Sequence, residues 1–136
     1  MVQPKHLRKE LRQLAATAHD RELGLYLSQL ESHFAAWRAG ELGPGELADC
    51  IHGFHEEQAR AVHATYSMLE PDQLVARAIG IGLLKGDEVP EEVRQALSDA
   101  ITHFRDNYAI DEDDPLWELR DRVTRHATGP GESGAG

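Results

Sequence analysis

Residues 43–69 read GPGELADCIHGFHEEQARAVHATYSML, and this stretch decides the fold class. Pro44 suits the first position of a helix, because the N–H that proline lacks would have no partner there. Apolar side chains then recur at the spacing of one helix face. They are Leu47, Ile51, Phe54, Val62 and Leu69. A pattern of this length and period predicts one helix over about residues 45–69.

Four of the other five prolines mark further helix starts. They are Pro4, Pro71, Pro90 and Pro115. The patterns that follow predict helices over about 4–39, 71–85, 90–108 and 115–127, and no segment alternates as a β-strand does. We therefore predict an all-α fold, a single-domain bundle of five to six helices over residues 1–127. The Gly-rich tail 128–136 has no core-forming residue, and we expect it to be disordered.

The segment 4–39 carries two apolar stripes on different faces of an ideal helix. One stripe is Leu7, Leu11, Leu14 and Ala18; the other is Leu23, Leu27, Leu30, Phe34 and Trp37. Either the helix breaks near His19–Asp20, with Asp20 capping a second helix, or one helix buries different faces at its two ends. We favour the break.

The glycines between residues 80 and 86 do not have the spacing of a dinucleotide-binding loop. They also follow a helical pattern and not a strand. We expect Gly80 and Gly82 to allow a close approach between helices, because glycine in a helix interior otherwise costs about 1 kcal/mol. We expect the helix to end at Gly86.

The formal net charge of −10 over 136 residues is unevenly distributed. Residues 1–40 carry six Lys/Arg and four Asp/Glu, whereas residues 41–136 carry eight and twenty. An acidic chain repels phosphate backbones, which argues against nucleic-acid binding. The acidic region 106–114 could instead contact a basic partner.

Two further features bear on location. No apolar run approaches the length of a membrane span. The single cysteine, Cys50, cannot form an internal disulfide, which is typical of a reducing compartment. We expect a cytoplasmic protein.

On a wheel of about 100° per residue, the histidines of the 45–69 helix lie along one border of its apolar face. We call this border the histidine edge; its members are His52, His55, Glu56, Arg60, His63 and Tyr66. Side chains with an apolar body and a polar tip suit partly buried contacts. We therefore predict an accessory or regulatory protein that acts through protein–protein contacts, as an oligomer and without catalytic residues.

A transition-metal site is the alternative. Asp49, His52, His55 and Glu56 lie within two turns, and Asp-x-x-His is a spacing by which helices present ligands to one iron or zinc ion. The chain has no second Asp-x-x-His pair and no Glu-x-x-His pair. A complete site would need ligands from a second copy or from distant residues.

A third hypothesis is an all-helical ribonuclease. Arg120 and His126 have the spacing of an arginine and a histidine in HEPN ribonucleases, which are helical and of similar size. Arg12 and His19 have a matching spacing as well, and a chain with eight histidines gives such matches by chance. The acidic charge also argues against an RNA substrate.

Several short stretches together resemble a group of small all-helical bacterial proteins of unassigned function. They are Ile51-His52-Gly53-Phe54-His55, Ala59-Arg60, Val75-Ala76-Arg77-Ala78, Gly82-Leu83-Leu84 and Glu88-Val89-Pro90. The resemblance covers about residues 23–108. It implies a bacterial, cytosolic, standalone helical protein and carries over no functional residue.

Overall fold

The structure is a computed structural model that describes residues 5–108. Its elements are α1 (Lys5–Arg38), α2 (Pro44–Gly53), a π-helical segment (Phe54–Ala59), α3 (Arg60–Met68), α4 (Pro71–Ile81), a 3₁₀ turn (Gly86–Glu88), α5 (Glu91–Ala96) and α6 (Ser98–Tyr108). No strand occurs in this part of the chain, which confirms the all-α prediction. The predicted helix 115–127 and tail 128–136 lie outside the described residues.

Helix α1 is unbroken from Lys5 to Arg38, so the expected break near His19–Asp20 is wrong. No side chain of residues 26–38 is buried, so the helix does not bury different faces at its two ends either. Residues 7–25 pack into the main core, whereas Gln29 and His33 face α2 and the π-helical segment.

The main core lies between the first half of α1 and helices α4 to α6. Its largest fully buried side chains are Leu25, Leu83, Leu84, Val75 and Val93. Helix α4 is buried on nearly every side, because it packs against both α1 and α6. We call residues 5–25 together with 71–108 the body.

Gly80 has the expected packing role. A Cβ atom there would lie 2.7 Å from Phe104 Cβ and 2.9 Å from two backbone atoms of α6. Gly82 has a different role from the one expected: its φ of 95° ends α4 in the left-handed conformation. Helix α4 therefore stops four residues before Gly86, which instead begins the 3₁₀ turn.

The predicted helix 45–69 is continuous from Pro44 to Met68 but contains the π-helical segment. Its first turn is closed by Glu46, whose Oε1 accepts a hydrogen bond of 2.9 Å from the Gly43 N–H. Each residue of a π-helix turns the chain through a smaller angle than in an α-helix, because its hydrogen bonds join i and i+5. Residues after Ala59 are therefore rotated away from the faces that a regular wheel assigns to them.

Candidate functional site

The second apolar stripe of α1 is the candidate site. We call its five members, Leu23, Leu27, Leu30, Phe34 and Trp37, the outer stripe. None of them is buried in the described part of the chain; Leu27 is 47% exposed and Trp37 is 42% exposed. At ~1.5 Å per residue the stripe is about 21 Å long. It is a continuous apolar surface with no partner helix among residues 5–108.

Helix α2 lies beside the outer stripe and does not cover it. Leu27, Leu30, Glu31, Phe34 and Arg38 line one open groove on α1. A separate cleft of about 220 Å³ lies between α1 and the α2 and π-helical segments. Its lining residues are Gln29, Leu30, His33, Cys50, Gly53, Phe54, Glu57 and Gln58. Leu30 lines both the groove and the cleft, so the outer stripe lies directly beside the contact between α1 and α2.

The contact between α1 and the helix that follows it is partly polar. Gln58 Nε2 donates a hydrogen bond of 3.2 Å to Gln29 Oε1 across the interface. Leu47 is buried, but Ile51 remains 41% exposed and Phe54 is half-buried. Residues 26–59 thus form a helical hairpin, hereafter the hairpin, that buries much less apolar surface than the body.

Most of the histidine edge faces solvent. His52, His55, Glu56, Arg60 and His63 are all exposed. Within it, Arg60 Nη1 lies 3.1 Å from Glu56 Oε2, and His55 Nε2 lies 3.8 Å from Glu56 Oε1. The exception is Tyr66, which is half-buried one turn after the buried Val62 and contacts Glu22 of α1. The role of this edge as a contact surface stays a prediction.

Tyr66 belongs to a buried charge cluster at the end of the hairpin. Arg77 donates two hydrogen bonds to Glu22, of 2.6 and 2.8 Å, and the Tyr66 hydroxyl donates a third, of 2.8 Å. The His19 ring stacks on the Tyr66 ring with centroids 4.4 Å apart. Because Glu22 accepts three hydrogen bonds, the cluster joins α1, α3 and α4.

The electrostatics of this cluster favour a structural role. Burial, followed by the charge of Glu22, raises the pKa of Tyr66 above its usual value. The hydrogen bond to Glu22 raises the pKa of Arg77, although burial opposes that shift. Both groups therefore hold their protons throughout the neutral range.

A second ion pair ties α1 to the segment after α4. Arg21 is 5% exposed; its Nη1 donates 2.8 Å to the Leu83 carbonyl and lies 2.7 Å from Glu88 Oε2. Sequence reasoning missed both networks. A signal was present, since Glu22 has helical spacing from the buried Ala18 and Leu25 and so lies on the buried face of α1.

The structure bears on the metal alternative but not on the ribonuclease one. Among residues 5–108, no group of three or more His, Cys, Asp or Glu side chains is placed to hold a metal ion. The set Asp49, His52, His55 and Glu56 would therefore still need ligands from elsewhere to bind iron or zinc. Arg120 and His126 lie outside the described residues, as does most of the acidic region 106–114.

Comparison with protein-family models, with curated proteins and with solved structures gives no significant match. Within residues 5–108, no helix combines the length and apolar character that a bilayer crossing requires.

Proposed function

We propose that this chain is a protein–protein interaction module that binds its partner on the outer stripe of α1. One observation carries the proposal: a regular apolar stripe about 21 Å long, at ~1.5 Å per residue, is left open to solvent. Contiguous apolar patches bordered by polar residues are typical of interaction sites. Glu31 and Arg38 supply that polar border.

Binding at the stripe has a clear energetic source. Full burial of one Leu or Phe side chain contributes roughly 1.5–3 kcal/mol relative to full exposure. Leu27 and Trp37 are 47% and 42% exposed, so each has roughly half of that free energy still available. The half-buried Leu23, Leu30 and Phe34 have less. A partner helix with apolar residues at i, i+3, i+4 and i+7 would present a complementary apolar face to this surface.

The rest of the described surface fits a binding role. The two groups with raised pKa values, Tyr66 and Arg77, are engaged in the buried cluster. The histidine edge lies on the helix that packs beside the stripe, and it supplies polar side chains for a second contact. We place this activity in the cytoplasm, where the free thiol of Cys50 would stay reduced.

Site-specific photo-crosslinking in the cells that naturally make the protein tests the proposal. A photoreactive amino acid replaces Leu27 in one variant and Met68 in another; Met68 is the matched control because it is apolar, 79% exposed and outside the stripe. We expect one dominant protein adduct from position 27 and none of that identity from position 68. The adduct should disappear when Phe34→Glu is added.

Equal crosslinking from the two positions would contradict the proposal, because it would show that the stripe attracts no more contact than an isolated exposed side chain. An adduct from position 27 that survives Phe34→Glu would contradict it too. The crosslinked partner is identified by mass spectrometry of the adduct.

A further inference from the structure

We infer that the partner on the outer stripe is a second copy of this chain, paired with the first through antiparallel α1 helices about a twofold axis. This inference rests on the function proposed above and names the partner for the same surface.

Glu31 and Arg38 border the same groove and have opposite charges. They are seven residues apart, which is two helical turns, so they lie on nearly the same side of α1. Both are exposed, and neither makes an ion pair with another residue of the 5–108 region. Each is therefore available to a partner.

This arrangement is complementary to itself. A twofold axis requires that if residue i meets residue j of the second copy, then j meets i. In an antiparallel pair centred between Phe34 and Ala35, Glu31 of each copy faces Arg38 of the other. The same register places Phe34 of both copies at the axis, where they would bury each other. One helix face thus supplies both an apolar centre and two reciprocal ion pairs.

The charge distribution favours this face over any other for self-association. Each copy has a net charge of −10, so two copies repel one another at long range. Residues 1–40 carry six Lys/Arg against four Asp/Glu, a net charge of +2, whereas the remainder carries −12. Residues 26–38 of α1 carry only Glu31 and Arg38 as charged side chains, a net charge of zero, so pairing there brings together a segment that is not acidic.

The first test is the molar mass in solution, measured by light scattering during size-exclusion chromatography over a range of concentrations. We expect the wild-type chain to have the mass of two copies and Phe34→Glu, which places two carboxylates at the axis, to have the mass of one. Met68→Glu, which places the same charge on an exposed apolar position off the stripe, should keep the mass of two. Circular dichroism checks that both variants remain helical.

The second test addresses the antiparallel register and does not depend on the folding of Phe34→Glu. Glu31→Arg alone, or Arg38→Glu alone, places like charges opposite each other twice per dimer, and we expect each to weaken the dimer about tenfold or more. Glu31→Arg combined with Arg38→Glu should restore the wild-type Kd. Asp106→Arg is the matched control for the change of net charge, because Asp106 is exposed on α6.

The results separate the two proposals. A monomeric wild-type chain overturns the inference of a second copy, and so does a dimer that tolerates Phe34→Glu or that the double charge reversal fails to restore. If the chain is monomeric but position 27 crosslinks to one foreign protein, the proposed function stands and the inference fails. If the chain is monomeric and position 27 gives no adduct beyond that of position 68, both proposals fail.

Discussion

The two halves of α1 have similar apolar patterns and opposite environments. In residues 7–25, eight side chains are buried, including the charged Arg21 and Glu22. In residues 26–38 of the same unbroken helix, none is buried, although Leu27, Leu30, Phe34 and Trp37 follow helical spacing. Apolar periodicity thus predicts which face of a helix can be buried, and the neighbouring elements decide whether it is.

The cause of the difference is the number of helices that each half contacts. The first half packs against α4 within a core that α5 and α6 complete. The second half meets the helix that follows it along one flank, through contacts that include the Gln29–Gln58 hydrogen bond. A helix in a two-helix hairpin can cover one side of its neighbour, and a second apolar side then stays exposed unless another chain covers it.

The buried charge cluster gives the largest expected effect. We predict that Glu22→Ala lowers the free energy of unfolding by about 3 kcal/mol, because it leaves Arg77 and the Tyr66 hydroxyl without their shared acceptor. Chemical denaturation measures the loss. In the hairpin, Glu56→Ala removes the exposed pair with Arg60 and should cost less than about 0.5 kcal/mol. Similar losses at the two positions would contradict the difference in burial.

Leu25 and Leu27 compare the two halves of α1 directly, with one chemical change made two residues apart. Leu25 is 2% exposed and Leu27 is 47% exposed. We predict that Leu25→Ala costs about 3 kcal/mol of unfolding free energy, because it leaves a cavity in the core. Leu27→Ala should cost less than about 1 kcal/mol when measured at a protein concentration low enough to keep the chain monomeric. A larger loss of unfolding free energy for Leu27→Ala than for Leu25→Ala would show that the boundary between body and hairpin is misplaced.

Two glycines extend the comparison to backbone packing. An added methyl group at Gly80 would meet α6 at 2.7 to 2.9 Å, whereas one at Gly53 would meet nothing within 4 Å. We predict that Gly80→Ala destabilises the chain by about 1–3 kcal/mol. Gly53→Ala should stabilise it by about 0.5–1 kcal/mol, since Gly53 has helical backbone angles. Thermal unfolding of the two variants should therefore shift in opposite directions.

The smallest effect concerns the pH dependence of the cluster between body and hairpin. The pKa of Tyr66 is raised in the folded state, so above pH 10 the unfolded chain loses this proton while the folded chain keeps it. The contribution of Tyr66 to stability is therefore complete below pH 10 and is lost as the pH rises above it, by at most about 1.4 kcal/mol per pH unit. We predict that Tyr66→Phe has a shallower alkaline loss of stability than the wild type.

The control for that experiment is Tyr108→Phe, because Tyr108 is 61% exposed. Its alkaline stability profile should match that of the wild type. An identical profile for Tyr66→Phe would show that Tyr66 titrates in the folded state as it does in the unfolded one. Ultraviolet absorbance of tyrosinate follows the same titration in the folded protein.

The sequence by itself determined the helical class, the helix starts at Pro44 and Pro71, and the close approach at Gly80. Each of these follows from a local requirement: a missing N–H, a repeating spacing, or the absence of a side chain. The outer stripe was also visible in the sequence, together with the residues that form it. The uninterrupted course of α1 past His19 was not, because the second stripe could belong either to a new helix or to the same one.

The tertiary structure alone decided which apolar stripe would be covered and which charges would be buried. Glu22 and Arg77 are 55 residues apart in sequence, and Tyr66 is 44 residues from Glu22. The meeting of residues so distant in sequence has no local signature. The outer stripe stays open for the same reason, since burial depends on the neighbours that the fold brings to a surface.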